Sequence, residues 1–298
     1  MTTPRIIKRE AVVCVHHANA LTGEVPCWDA GRETLWWIDI QGQRLLGFSP
    51  RSGREQEHNL PGMPGLVVLR QGGDLVVGLE DGLYPFDPAT GIGECLAAIE
   101  ADDTRTRIND GGVDAAGRLW FGTMDKTGSG QPIGKLYCIS NDSELLVVRT
   151  NVGVPNAIAF SPDGQTFYFA DTPSGTIEAF DYDAASATLG PPRTFVAYPA
   201  GERPDGVCID AEGAVWIAVV GGGRLERRLA NGTLHTIVEL PVSRPTMPIL
   251  GGNDGCTMFI TSQRRFLDTG RLAAEPLAGD LLMTRTEVPG IAPRLAAI

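Results

Sequence analysis

The sequence predicts an all-β fold, a six-bladed β-propeller formed by residues 1–298 as a single domain. Three features lead there. Short β-prone runs recur at intervals of about 40 to 48 residues along the whole chain. Each follows a turn rich in Gly or Asp. No stretch sustains the i, i+3, i+4, i+7 apolar spacing of an amphipathic helix. A repeat of that size with several strands per unit is the mark of a propeller blade. A TIM barrel or doubly wound sheet would need long helices between its strands, and the spacers here are turn-rich. With 37 Gly and 21 Pro in 298 residues and no collagen-like period, the composition also calls for many turns.

Taken in order, the run Ala11–Val15 is expected to add a strand to the last blade and close the ring, because closure protects edge strands. Leu35–Ile40 (LWWIDI) follows the turn Ala30-Gly31-Arg32, and Leu75–Leu79 (LVVGL) follows Gly72-Gly73-Asp74. Leu119–Thr123 (LWFGT) follows Ala116-Gly117-Arg118, and Phe167–Ala170 (FYFA) follows Pro162-Asp163-Gly164. Val215–Val219 (VWIAV) follows Glu212-Gly213, and Met258–Thr261 (MFIT) follows Asp254-Gly255. β-Branched and aromatic residues dominate these runs, as strands packed on both faces require. Most are followed by a turn and a further strand, such as Arg44–Phe48, Leu83–Phe86, Lys135–Ile139, Ile177–Tyr182 or Arg224–Leu229. No linker divides the chain.

Composition excludes several functions. Against 36 acidic residues stand 25 basic ones, for a net charge of −11. Such a chain lacks the basic footprint of a nucleic-acid binder. No apolar run approaches the roughly 18 residues of a membrane span, and the first residues lack a signal-peptide core, so a cytoplasmic location is expected. The six cysteines are scattered with no C-x-x-C pair and read as reduced thiols. His16, His17, His58 and His235 form neither H-E-x-x-H nor H-x-H, which argues against a multi-histidine metal cage. There is no G-x-S-x-G elbow, and Gly221-Gly222-Gly223 opens no helix that would cradle a phosphate. Oligomeric state is not legible.

What remains is a set of polar residues in short, distinctive contexts. Glu24 lies in Gly23–Trp28 (GEVPCW). Arg107 and Asn109 lie in Arg107–Asp114 (RINDGGVD), as donors for an oxygen-rich ligand. Asn156 stands in Gly153–Phe160 (GVPNAIAF), and Asp171 directly follows the FYFA run. Asp205 lies in Arg203–Asp210 (RPDGVCID), placed before its strand much as Asn156 is before its own. Each context also reads as a turn or a solvated loop, since Asn-Asp-Gly and Pro-Asp-Gly are turn signals by themselves. Glu24, Asn156 and Asp205 together offer hard oxygen ligands with a charge of −2. That set suits one divalent ion, Ca²⁺, Mg²⁺ or Mn²⁺, with Zn²⁺ or Fe²⁺ also accommodated in a small open site. Three protein ligands leave positions for water and substrate, the pattern of a catalytic site.

These segments, with Arg107–Met124 (RINDGGVDAAGRLWFGTM), Gly153–Thr172 and Arg203–Arg224 read in full, resemble the SMP30/gluconolactonase/regucalcin family of six-bladed propeller lactonases. The resemblance implies that Glu24, Asn156 and Asp205 bind the divalent metal and that Arg107 and Asn109 contact substrate oxygens. It further implies that Asp205 is the acid/base and that Asp171 lies near the substrate. Thr127 stands where some members carry a substrate-contacting Glu, and Thr246–Gly252 keeps the family's glycine pair but differs before it. The expected activity is metal-dependent hydrolysis of a sugar lactone, a small-molecule partner, to its aldonic acid. The alternatives are a non-catalytic calcium- or protein-binding propeller, an esterase or organophosphate hydrolase on the same metal, and a lactonase for an anionic lactone. In the last case Arg107 and either Arg264 or Arg265 would pair with the substrate's charge.

Overall fold

The computed structural model describes residues 3–140 and 144–298. Six small sheets follow one another along the chain as the blades of a six-bladed propeller. The first strands of the blades are Gly23–Asp29, Leu66–Leu69, Thr106–Val113, Pro155–Phe160, Arg203–Ile209 and Pro245–Gly251. Each touches the first strands of the two neighbouring blades, so together they form the closed inner ring. The apolar runs that set the sequence period are the second strands, for example Thr34–Asp39, Leu119–Asp125 and Val215–Val220. Every residue of these three is buried. Covered on both faces by adjacent blades, they read as continuous apolar runs instead of alternating ones.

Five of the six first strands carry a register shift against their second strand, at Glu24/Cys27, Ile108/Asp110, Asn156/Ala159, Pro204/Val207 and Pro245/Pro248. A bulge bends a strand and re-aims the side chains beside it. The residues of the functional motifs sit at or next to these bulges.

The two ends of the chain fasten the ring. Val13–His16 pairs with Leu281–Arg285 and is the outer strand of the sixth blade. Arg5–Ile7 adds a parallel fifth strand to the fifth blade along Thr236–Val238. The C-terminal segment crosses the face formed by the turns between first and second strands. It makes backbone hydrogen bonds with Gly255, Ala211, Gly117, Leu69 and Gln71, while Arg294 donates to the Ser161 carbonyl at 2.9 Å. Five blades are thereby tied to one strap. The only α-helix among the described residues is Thr269–Ala274, capped by Asp268, whose side chain accepts from the Arg271 N–H at 2.8 Å. All six cysteines are free thiols. No helix among the described residues is long and apolar enough to cross a membrane.

Candidate active site at the channel mouth

The starts of the first strands and the ends of the second strands meet at one end of the ring. Glu24, Arg107 and Asn156 are each the second residue of a first strand, and Asp205 is the third of its own. All four are buried, with exposures of 5 to 8%. Backbone strain holds two of them in place. Val25 (φ 43°) and Ala157 (φ 56°), immediately after Glu24 and Asn156, adopt the left-handed region that disfavours side chains, above all β-branched ones. Such strain persists only where the surroundings over-determine the conformation. Here the bulge imposes it.

A chain of hydrogen bonds runs across three blades. Asn109 Nδ2 donates to the Pro155 carbonyl at 2.9 Å and to Asn156 Oδ1 at 3.1 Å. Asn156 Nδ2 donates to Thr172 Oγ1 at 2.8 Å, and that hydroxyl donates to the Pro204 carbonyl at 3.1 Å, one residue before Asp205. Both N–H groups of Asn109 are thus engaged within the protein. What Asn109 presents to a ligand is its Oδ1, an acceptor, where the sequence suggested a donor.

Three buried carboxylates share this region. Burial, followed by the charges of Asp205 and Asp110, raises Glu24 well above the usual carboxylate range. Burial and the Asp110 charge push Asp205 up to about 8, against the pull of Arg244. Burial raises Asp110 to about 7, although it accepts from the Gly111 N–H at 2.7 Å and the Ile158 N–H at 3.2 Å. Arg107 is fully enclosed. Burial, and after it the Arg265 charge, lowers it to about 10 against the opposing pull of Glu24. Its Nη1 donates to the Ile108 carbonyl at 2.8 Å, while its Nε is buried without a partner.

The donor set suits a hard divalent ion. Crowded carboxylates held toward neutrality are what a cation would relieve, and the Thr172 bond to Asn156 Nδ2 orients the amide so that Oδ1, which already accepts from Asn109, keeps its second lone pair for a ligand. Further along the same first strands the channel becomes an apolar cavity of about 160 Å³, lined by Val67, Ile158, Val207 and Leu250 and by Gly290–Arg294 of the C-terminal strap.

The other residues singled out in the sequence have these partners. Asp171 accepts from the Gly153 and Val154 N–H groups at 3.0 and 2.8 Å, so it braces the loop that leads to Asn156. Thr127 folds onto Asp125, its hydroxyl donating at 2.7 Å. Arg264 donates to Asn19 Oδ1 at 2.6 Å, whereas Arg265 makes no side-chain hydrogen bond or ion pair among the described residues. Sequence reasoning passed over Asp110, Arg244 and Thr172. Asp110 was hidden in a turn signal, and Arg244 stands outside every motif, marked only by its place just before the first strand of the sixth blade. A separate group, Cys14, His17 and Asp280, lies beside the outer strand of the sixth blade. His17 Nδ1 is 2.8 Å from Asp280 Oδ2, and the three ligand atoms lie within 4.8 Å of one another. It shares no residue with the mouth.

Comparison with known proteins adds a further constraint. Residues 22–264 match the family described as "SMP-30/Gluconolactonase/LRE-like region". The chain is 36% identical to 6-deoxy-6-sulfogluconolactonase of Pseudomonas putida over 97% of its own length and 99% of that protein's. It is 32% identical to regucalcin of Gallus gallus, over 95% of this chain and 97% of that one. Among solved structures, a calcium-binding protein, regucalcin, from Agrobacterium tumefaciens superposes with a TM-score of 0.93 at 29% identity, covering 98% of this chain and 99% of that one.

Proposed function

The chain belongs to the SMP-30/gluconolactonase/LRE-like family, and on that premise we propose that it is a lactonase that hydrolyses a sugar lactone to the aldonic acid with one divalent ion bound at the channel mouth. The observation that carries this reading is the grouping of the Glu24, Asp110 and Asp205 carboxylates with the Asn156 amide and the enclosed Arg107. Glu24, Asn156 and Asp205 would hold the ion, of the hard type such as Ca²⁺, Mg²⁺ or Mn²⁺, or alternatively Zn²⁺ or Fe²⁺. When bound, it supplies Lewis acidity toward the ester carbonyl.

The chain's own residues supply the rest. Asp205 takes a proton from the attacking water and returns it to the ring oxygen as the acyl C–O bond breaks. A new C–OH bond forms, and the ring oxygen leaves as a hydroxyl of the aldonic acid. Arg107 is preorganised for this work. Its enclosed guanidinium has unsatisfied N–H capacity and donates to substrate oxygen without first shedding water. Asn109 Oδ1 accepts from a sugar hydroxyl and fixes ring orientation. The family relatives and the donor chemistry support the reading together.

The test is direct. Asp205→Asn is expected to reduce kcat on a lactone panel at least ~100-fold, the scale of positioned acid/base catalysis. Chelation should abolish turnover until a divalent ion is restored. Full activity after chelation would overturn the metal requirement, and no acid release from any lactone would overturn the lactonase reading.

A further inference from the structure

The mouth carries more positive charge than its carboxylates engage. Arg107, Arg203, Arg244 and Arg265 surround it, and among the described residues none has an acidic group within ion-pairing distance. Neighbouring basic groups are differently placed: Lys126 is bound to Glu80 at 2.6 Å, Arg224 to Glu202 at 2.6 Å, and Arg264 to Asn19 at 2.6 Å. In a chain with net charge −11, four guanidinium groups near one another with no direct ion pair call for an explanation.

Arg107 and Arg244 face the floor, where Glu24 and Asp205 respectively act on them. Arg265 is different. It belongs to the sixth blade, yet a Cβ placed on Gly128 of the third blade would lie 3.8 Å from its Nη2. Its side chain therefore reaches across the mouth to the opposite side of the ring. Its backbone N–H and that of Arg264 both donate to the Leu21 carbonyl, at 2.9 and 3.2 Å, which anchors the start of this reach.

Phe266 completes the arrangement. It is 68% exposed and held at φ 67°, an unfavourable state for a phenylalanine both in solvation and in backbone. The guanidinium carbons of Arg265 and Arg244 lie 4.5 and 5.4 Å from its ring centroid. One exposed ring thus gathers two like charges. The Nε of Arg244 is buried and unpartnered. Two planar forks fixed on an aromatic ring above the floor make a receptor for an oxyanion.

We propose that the substrate is an acidic sugar lactone, and that Arg265 and Arg244, gathered by Phe266, hold an anionic substituent remote from the ring ester. The proposal rests on the lactonase reading and narrows its substrate class. Sulfonate, phosphate and carboxylate share the chemistry that would be recognised, and the test separates them.

The experiment measures kcat and KM for glucono-1,5-lactone and for lactones carrying a sulfonate, a phosphate or a carboxylate at the far end of the sugar. At least one acidic lactone should exceed the neutral one in kcat/KM by tenfold or more. Arg265→Gln should reduce that ratio at least tenfold, mainly through KM, and Arg265→Lys should restore part of it. Phe266→Gly, which relieves the backbone, should also raise KM for the acidic lactone. Calorimetric titration with the acidic aldonate and with gluconate reads the same preference without turnover and confirms that each variant is folded. Equal kcat/KM for neutral and acidic lactones, or an unchanged ratio in Arg265→Gln, would overturn the inference and leave the lactonase reading standing. No hydrolysis of any lactone would overturn both.

Discussion

At the level of single residues, buried carboxylates decide most of the behaviour. Asp205 and Asp110 are raised to about 8 and about 7 by burial, ahead of any charge, and Glu24 is raised in the same direction. Carboxylates with raised folded-state values bind more protons folded than unfolded. Their contribution to stability is complete below about pH 4, the unfolded value, and is lost as pH rises through the folded values. The metal-free protein should therefore melt progressively lower between about pH 4 and pH 8. A divalent ion should raise the melting midpoint more at pH 8 than at pH 6, because at pH 6 it must displace more protons. Thermal melts with and without chelator test this, and an ion effect independent of pH would contradict it. Glu24→Gln should weaken ion affinity at least tenfold in a calorimetric titration while leaving the fold intact. Ala157→Gly probes the strain beside Asn156. Glycine tolerates φ 56°, so the variant should match or exceed the parent in stability by about 0.5–1 kcal/mol, yet turn over more slowly because Asn156 is less tightly held.

At the level of elements, the same device recurs at the far ends of two blades. Asp114 and Asp210 are wholly buried. Asp114 accepts from the Ala116 and Arg118 N–H groups and Asp210 from the Glu212 and Ala214 N–H groups, closing the turn in each case. Each also meets an indole N–H, from Trp120 at 3.4 Å and Trp216 at 3.0 Å, and an arginine, Arg118 at 2.6 Å and Arg227 at 2.7 Å. Removing one partner leaves a buried charge uncompensated. Asp210→Ala should cost about 3–5 kcal/mol in denaturant unfolding, far more than loss of an exposed pair such as Arg193–Asp181. The blade period was legible because the second strands are apolar throughout. The first strands were harder to read. Their bulges interrupt period-two alternation, and the residues at the bulges look like turns when read in one dimension.

At the level of the whole molecule, ring closure brings the functional groups together and the chain ends secure it. Removing residues 289–298 would delete backbone or side-chain hydrogen bonds to five blades and uncover part of the apolar channel. The truncated protein should unfold at lower denaturant and expose the channel to an apolar dye, while the groups at the mouth, which lie at the opposite end of the first strands, keep their hydrogen bonds. Unchanged unfolding would show that the strap contributes nothing to closure.

The sequence alone determined the six-fold repeat, the turn chemistry between strands and the identity of the motif residues Glu24, Arg107, Asn109, Asn156 and Asp205. All of these are signals between near neighbours or repeats at a fixed interval. Only the tertiary structure decided that Asp110 joins the carboxylate group, that Asp171 braces a loop, that Arg264 is engaged by Asn19, and that Arg265 spans from the sixth blade to the third. The physical reason is closure. A propeller places residues more than a hundred positions apart across one narrow mouth, and the partner of a charge there depends on how the ring shuts, which no local spacing records.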